Sequence, residues 1–286
     1  MANLYSAETE TLTATSLRSV TPYGIIHSAG RSLFSLLQTL RGMIAFALIT
    51  LGVLITKSSK SHRVIYPLIF KEVYRSGVKL IPMFAFTSAA LGLAVIGQAA
   101  AQLSKIGASN EWLGTIMVTV VVREIGPLLT AMLVLSRSGT SNVIELGTAR
   151  ALGEVEALES LSIDPIHYLV VPRVVGMALG VFALTVYFIA GALISGYACA
   201  FLQNVALRPA DYLQQLADGL VYMDFAILAL KSTAFGILIA VITCYHGLAQ
   251  PLQLEQVSRA TISAVAQSIL ACVLLDAFFI LIYIVL

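Results

Sequence analysis

Five apolar runs decide what this chain can fold into. They are Leu80–Leu103, Leu113–Ser136, Val174–Leu202, Val221–Tyr245 and Ile262–Leu286. Each is longer than the roughly 20 residues that an α-helix needs to cross the hydrocarbon core of a bilayer. Because backbone polar groups have no water to bond with inside a bilayer, such runs are expected to be helical. We therefore predict an all-α integral membrane protein with about five transmembrane helices.

The composition supports this class and excludes several others. Hydrophobic residues make up 58% of the 286 residues and charged residues 11%, whereas a soluble domain carries roughly 25% charged residues. A soluble chain of this length could not bury so much apolar surface in one core. The formal net charge of +2 gives no reason to expect a polyanionic partner. The composition thus excludes an ordinary soluble enzyme, a disordered chain and a nucleic-acid-binding protein.

Sequence motifs for catalysis, metals and cofactors are missing. Cys199, Cys244 and Cys272 lie in apolar stretches without a metal-binding spacing, and the four histidines are scattered. No GxxxxGKS or GxxxxGKT phosphate loop occurs, so the chain cannot bind ATP in that manner. We expect no metal, no cofactor and no catalytic residue. Any ATP hydrolysis that drives this protein would have to come from a partner.

The segment before the five runs differs from them in character. Residues 1–21 form a polar tail without the features of a signal peptide. The stretch Met43–Thr56 is apolar but short for a full crossing, and basic residues flank it on both sides. We predict an interfacial amphipathic helix over Ile25–Thr56, with a sixth span as the alternative. The chain then divides into the tail, a membrane-lying region at residues 22–79 and a membrane domain at residues 80–286.

The distribution of basic residues predicts the orientation. Of the 17 lysines and arginines, nine precede the first run, three lie between the second and third, and one lies between the fourth and fifth. The alternate loops contain only Lys105 and Arg208. Because cytoplasmic loops carry the excess of basic residues, we place the N-terminus in the cytoplasm and the C-terminus on the outer side.

Four ionisable residues stand out within the runs, namely Arg123, Glu124, Lys231 and Asp276. Charged residues inside a membrane are expensive to expose to lipid, so they usually face one another or a polar cavity. Two are basic and two acidic, which permits a neutral arrangement. The residues alone leave two interpretations open, a set of salt bridges that orients helices or a polar path for a substrate.

A proline accompanies the first two of these charges. Pro127 lies four residues after Arg123 and has no N–H to donate to the Arg123 carbonyl. We therefore predict a helix kink at Pro127. Arg123 and Glu124 are neighbours in sequence, so their side chains project in directions about 100° apart on a helix and should not face each other.

Small residues form a stripe in the third run. Gly176 and Gly180 make a GxxxG pair, and Gly191 and Ser195 continue the same face. Such a stripe lets another helix backbone approach closely. Packing within the chain is the favoured interpretation, with dimerisation as the alternative.

The segment Arg137–Asp164 between the second and third runs is rich in acidic residues. A helix through Gly153–Leu161 would place Val155, Leu158 and Leu161 on one side and glutamates on the others. The acidic candidates are Glu145, Glu154, Glu156 and Glu159. Asp164 followed by a proline is typical of a helix start. This segment is either a solvated loop helix or a docking helix for a cytoplasmic partner.

Several longer stretches, in this order, resemble the MlaE/YrbE permease family. The hallmark is VVREIGPLLTAMLVLSRSGTSNVIELGTAR at Val121–Arg150. Further matching stretches are Lys71–Pro82, Ala157–Arg173, Leu230–Gly247, Ser258–Leu270 and Leu274–Phe278. The resemblance extends from about Lys71 to the end of the chain.

This resemblance implies a non-catalytic permease subunit of an ABC transporter that moves phospholipids or related lipids. It implies a homodimer in the bacterial inner membrane, two cytoplasmic ABC ATPase subunits, an MCE-domain protein on the outer side and, in some systems, a STAS-domain protein. Lipid would bind in a cavity lined by the first, second and fifth helices, where the family carries charges at Arg123, Glu124, Lys231 and Asp276. ATPase coupling would involve Leu158 and the acidic candidates named above.

Two other functions stay open. The chain could be an ion-coupled secondary transporter that uses Glu124 and Asp276 as relay carboxylates. It could also be a membrane anchor that only assembles MCE proteins. The acidic segment favours the ABC permease, because a secondary transporter needs no docking helix.

Overall fold

The computed structural model describes residues 41–54, 62–106, 113–203, 208–248 and 253–285. Within these ranges the regular structure is entirely helical, which confirms the predicted all-α class. Five helices are long and apolar enough to cross a membrane. We call them spans 1 to 5, and they cover Ile65–Gln102, Gly114–Ala151, Ile166–Leu202, Tyr222–Leu248 and Leu254–Tyr283.

The spans extend beyond the apolar runs that predict them. Span 1 begins at Ile65 rather than Leu80, and span 2 continues to Ala151 rather than Ser136. A helix of 38 residues is about 57 Å long, whereas the hydrocarbon core is about 30 Å thick. Hydropathy detects only the part of a helix that lies in hydrocarbon. The apolar runs therefore stay the predicted membrane-crossing parts, and the helices continue beyond them at Leu80 and Ser136.

Several spans contain more than one kind of helix. Span 1 joins α-helices His62–Ser76 and Ile81–Ile106 through a 3₁₀ turn at Val78–Leu80. Span 2 contains two π-helical stretches, at Val118–Ile125 and Leu135–Gly139. The α-helical parts of span 2 are Leu113–Met117, Gly126–Val134 and Thr140–Ala151. Span 3 starts with π-helical Ile166–Val170 and continues as Val171–Leu202, while spans 4 and 5 belong to the helices Tyr222–Leu248 and Leu254–Val285.

Span 3 packs against span 1 through its stripe of small residues. A Cβ atom added at Gly176 would lie 2.7 Å from the Glu72 side chain, and one added at Gly180 would lie 2.7 Å from Ser76 Oγ. At Gly191 an added Cβ would lie 2.4 Å from Ser88 Oγ. The stripe therefore packs within the chain, as the sequence predicts.

Two shorter helices connect the spans. Glu154–Ser160 lies between spans 2 and 3, and we call it the acidic helix. Pro209–Gly219 lies between spans 3 and 4, and we call it the linking helix. Tyr212 of the linking helix is buried, and its hydroxyl donates a hydrogen bond to the Leu193 carbonyl at 3.2 Å. Burial raises the pKa of Tyr212 to about 12, so the hydroxyl stays a donor even at alkaline pH, where a free tyrosine ionises.

The described part of the N-terminal region is the apolar helix Arg41–Leu54. At about 21 Å it is too short to cross a hydrocarbon core unaided. Ile44, Leu48 and Leu51 are exposed on it, and we retain the prediction that it lies in the interface. The predicted polar tail at residues 1–21 and the start of the interfacial segment, up to residue 40, lie outside the described residues.

Candidate functional site

Three of the four predicted intramembrane charges meet around one lysine. Lys231 of span 4 is only 1% exposed, and its Nζ lies 2.6 Å from Asp276 Oδ1 of span 5. Glu124 Oε2 of span 2 lies 3.6 Å from the same Nζ. We call Glu124, Lys231 and Asp276 the lysine cluster. It joins spans 2, 4 and 5 through ion pairs that offset the cost of burying Lys231.

Pro127 contributes to the same cluster through the backbone. A π-helical stretch at Val118–Ile125 ends two residues before Pro127, and the kink at Pro127 stays a prediction. The Arg123 carbonyl accepts a hydrogen bond from Lys231 Nζ at 3.1 Å. The carbonyl that Pro127 leaves without its helical donor is thus satisfied by the buried lysine.

The Arg123 side chain makes a separate set of contacts. Its Nη2 lies 2.9 Å from Asp224 Oδ2 at the start of span 4 and donates to the Gly219 carbonyl at 3.3 Å. The guanidinium also lies 5.6 Å from the centre of the Tyr283 ring, within cation–π range. Arg123 and Glu124 therefore have different partners, as their adjacency predicts.

Asp224 is a site residue that the sequence analysis missed. It is 3% exposed and also accepts a hydrogen bond from the Val221 backbone N–H at 2.9 Å. The sequence contained the information needed to find it, because Asp224 is a charged residue inside the predicted apolar run Val221–Tyr245. With Asp224 included, the intramembrane set contains three carboxylates and two cations. Its most exposed carboxylate is Glu124, whose side chain is 34% exposed.

A second ionic cluster joins spans 1, 2 and 3. Arg75 of span 1 pairs with Glu145 of span 2 and lies 2.9 Å from Glu72 Oε1, and it also donates to the Asn142 side chain. Arg173 of span 3 lies 3.1 Å from Glu145 Oε2. We call these five residues the arginine cluster. Sequence reasoning missed it because its charges lie outside the apolar runs, where charged residues are ordinary.

This cluster separates Glu145 from the other acidic candidates for ATPase coupling. Ser141 Oγ donates to Glu145 Oε1 at 2.9 Å, in addition to the two arginine contacts. Two arginines and one hydroxyl thus engage the Glu145 carboxylate within the chain, although its side chain is 42% exposed. Glu154, Glu156 and Glu159 instead lie on the acidic helix.

The acidic helix presents most of its side chains to the surroundings. Glu154, Glu156 and Glu159 are exposed, whereas Val155 is 2% exposed and Leu158 is half-buried. Leu161, which the sequence places on the same side as Val155 and Leu158, lies just after the helix and is 71% exposed. The helix ends at Ser160, and the chain then turns away.

Two features fix the position of this helix. Gly153 has φ +79°, a left-handed conformation that favours glycine, and it turns the chain between span 2 and the acidic helix. Asp164 Oδ1 accepts a hydrogen bond from the Ile166 N–H at 3.0 Å, which confirms the predicted cap of the following helix. Among the described residues no three His, Cys, Asp or Glu side chains are grouped as metal ligands.

Comparisons with known proteins identify the family. A family model described as permease MlaE matches residues 69–282. The chain belongs to the MlaE permease family. A probable ABC transporter permease of Rickettsia prowazekii is 31% identical over 201 residues, which cover 70% of this chain and 77% of the relative.

Two further relatives come from photosynthetic organisms. A probable ABC transporter permease of Synechocystis is 30% identical over 195 residues, covering 68% of this chain and 73% of the relative. The Arabidopsis thaliana protein TRIGALACTOSYLDIACYLGLYCEROL 1, chloroplastic, is 28% identical over 218 residues, covering 72% of this chain and 58% of the relative. The chain is thus a multi-pass membrane protein of the ABC permease type, and a permease of this type implies an ATPase partner.

Proposed function

We propose that this chain is the membrane subunit of an ABC transporter that moves phospholipids or related lipids between membranes. A separate cytoplasmic ATPase dimer supplies the energy, so the chain itself has no catalytic role. An MCE-domain protein receives or delivers the lipid on the outer side, with a STAS-domain protein as a further partner. The proposed location is the bacterial inner membrane, with the N-terminus cytoplasmic and the C-terminus periplasmic.

The observation that carries this proposal is the acidic helix. Its three glutamates are exposed just beyond the end of span 2, and the neighbouring Leu152 is 61% exposed. Exposed apolar side chains beside charged ones suit a protein partner better than water alone. Because this chain has no phosphate loop, a nucleotide-driven motion has to enter through such a contact.

Span 2 offers a path from this contact to the lysine cluster. It is helical from Gly114 to Ala151, and Glu124 lies in the half of the span that begins at Gly114. The acidic helix follows Ala151 directly after the turn at Gly153. A displacement of the acidic helix would therefore move span 2 and change the contacts of Glu124 with Lys231.

The chemistry of a bilayer lipid fits the central part of the chain. A lipid has apolar tails and a polar head, so its path needs apolar walls with a few fixed charges. The lysine cluster supplies such charges between apolar spans, and the half-buried Glu124 is its most accessible member. The name of the Arabidopsis relative contains that of a galactolipid, which supports a lipid as the transported molecule.

A homodimer is supported by the uneven burial of the spans. In their most apolar windows, spans 1 and 5 are 28% and 22% buried, while spans 2, 3 and 4 are each 50% buried. Spans 1 and 5 thus expose much apolar surface to lipid or to a second copy. We propose that two copies face each other there, with a lipid cavity lined by spans 1, 2 and 5.

Reconstitution tests the proposal. The chain is placed in liposomes with its ATPase and MCE partners, and transfer of fluorescent phospholipid to acceptor vesicles is measured with and without ATP. We expect transfer that requires ATP and stops when the ATPase carries an inactivating substitution. Transfer that depends on a proton gradient and does not require ATP would favour the ion-coupled alternative. The supporting observation for that alternative is the half-buried carboxylate of Glu124, the most accessible of the intramembrane carboxylates.

A further inference from the structure

A cavity of about 410 Å³ lies where spans 1 and 2 leave their apolar stretches. Its polar wall includes Arg75, Lys79, Arg137 and Glu145, and its apolar wall includes Leu80 and Met83. The apolar wall lies within the hydrophobic run that begins at Leu80, and the polar wall lies outside the runs. The cavity therefore spans the boundary between hydrocarbon and water, where a phospholipid places its headgroup.

The charges around this cavity do not cancel. Arg75 pairs with Glu145, and the adjoining Glu72 and Arg173 complete the arginine cluster. Lys79 and Arg137 line the same cavity, and neither has an acidic partner in the part of the chain that the structure describes. The cavity and its cluster thus carry two positive charges in excess.

The single carboxylate in the wall is already engaged. Glu145 accepts hydrogen bonds from Arg75, Arg173 and Ser141. The positive ammonium of a zwitterionic lipid would have to compete with two arginines for this acceptor. An anionic headgroup has no such conflict, because its phosphate meets the excess positive charge directly.

We propose that this cavity binds the headgroup of an anionic phospholipid, with Lys79 and Arg137 facing the phosphate and Leu80 and Met83 contacting the first acyl carbons. The arginine cluster fixes Arg75 in the wall before the lipid arrives, so less ordering is needed on binding. The proposal rests on the proposed function for the role of this lipid as cargo. Binding itself can be measured without transport.

Binding is tested on the purified full-length chain in a non-ionic detergent. The chain is titrated with phosphatidylglycerol and, separately, with phosphatidylcholine that has the same acyl chains, and complexes are quantified by native mass spectrometry. We expect at least a tenfold preference for phosphatidylglycerol. Because one basic residue near a membrane surface contributes about fivefold to binding of anionic lipid, the Lys79→Gln/Arg137→Gln variant should bind phosphatidylglycerol about 25-fold more weakly.

A matched variant separates the cavity from general charge. Lys71→Gln/Arg259→Gln also removes one lysine and one arginine, both exposed and both outside the cavity lining. We expect it to bind phosphatidylglycerol within twofold of the unaltered chain. Equal weakening in both double variants would overturn the site, as would equal affinity of the unaltered chain for the two lipids.

Two further measurements distinguish lipid binding from binding of a free anion, and failure of binding from failure of transport. Addition of 10 mM inorganic phosphate should leave phosphatidylglycerol bound. Displacement by phosphate would show that the cavity binds a free anion and would overturn the lipid assignment. If the reconstituted chain binds phosphatidylglycerol but moves no lipid with ATP, the proposed transport fails while the binding site stands.

Discussion

The two ionic clusters of this protein differ in depth and in the way that they can be found. The lysine cluster lies within spans 2, 4 and 5 around a lysine that is 1% exposed. The arginine cluster lies at the polar ends of spans 1, 2 and 3, where Arg75 is 26% and Glu145 is 42% exposed. A charge in an apolar run is an anomaly that the sequence reveals. A charge at a span end is ordinary, so only the structure shows that it is part of a cluster.

From this difference we expect that burial, and not the number of contacts, decides how much each cluster contributes to the free energy of unfolding. Arg75 contacts more polar side chains than Lys231 does. Water can replace part of what Arg75 loses, whereas it cannot easily reach Lys231. Four sets of variants test the comparison between the clusters. For each set, the free energy of unfolding in detergent is measured first.

The largest effect is expected for Lys231→Met. The substitution leaves Asp276 and Glu124 without their shared cation and leaves the Arg123 carbonyl without a donor. Breaking a buried ion pair in this way costs about 3–5 kcal/mol. The double variant Lys231→Met/Asp276→Leu removes both partners of the 2.6 Å pair and should recover part of the loss. If Lys231→Met lowered the free energy of unfolding no more than Arg75→Gln does, the expectation that burial decides the contribution of each cluster would be contradicted.

The next effect is expected for Gly176→Ala, which acts on the backbone that supports the arginine cluster. The added methyl group would lie 2.7 Å from Glu72 Cβ and 3.3 Å from the Glu72 backbone carbon, so span 1 must shift away from span 3. Overpacking of this kind costs about 1–3 kcal/mol. Gly97→Ala in span 1 is the control. Among the described residues, its added Cβ meets only the flexible Gln203 and Cys199 side chains, at 3.4 Å and 3.7 Å. Equal stability of the two variants would rule out tight contact between spans 1 and 3.

A smaller effect is expected for Arg75→Gln. It removes the ion pairs of Arg75 with Glu72 and Glu145. Glu145 remains accessible to water and to Arg173, whereas the Glu72 side chain is only 10% exposed and loses its ion-pair partner among the described residues. We expect a loss of about 1–2 kcal/mol that shrinks as salt is added. Arg75→Lys keeps the charge without the forked geometry, so its stability should fall between those of Arg75→Gln and the unaltered chain. A loss of stability that does not depend on salt would contradict this expectation, because it would mean that water and ions do not reach the arginine cluster.

The smallest effect on stability is expected for Glu156→Lys/Glu159→Lys on the acidic helix. Both side chains are exposed, and the 3.7 Å pair of Glu156 with Arg150 is of the kind that contributes little. The free energy of unfolding should change by less than about 0.5 kcal/mol, while ATP-dependent lipid transfer should be lost. Normal transfer in this variant would remove the acidic helix from the coupling proposal.

The fold was largely predictable because it depends on local composition. The number of spans follows from apolar runs, and the helix packing of span 3 follows from the spacing of Gly176 and Gly180. The position of Pro127 also predicts that the Arg123 carbonyl lacks its usual helical donor and needs another one. The helix ends were not predictable, since span 2 continues to Ala151 as a polar helix after its hydrophobic run has ended.

The candidate site was predictable only in part of its membership, because Asp224 and the arginine cluster were missed. From the sequence alone it follows that five runs are long and apolar enough to cross a membrane. It also follows that the charges at positions 123, 124, 231 and 276 need partners within those runs, because hydrocarbon does not solvate charge. The tertiary structure alone decided the pairing, which assigns Arg123 to Asp224 and Glu124 to Lys231. It also built the arginine cluster from residues on three spans. Pairing depends on how helices far apart in sequence are rotated and stacked, and that geometry is set by packing across the whole chain.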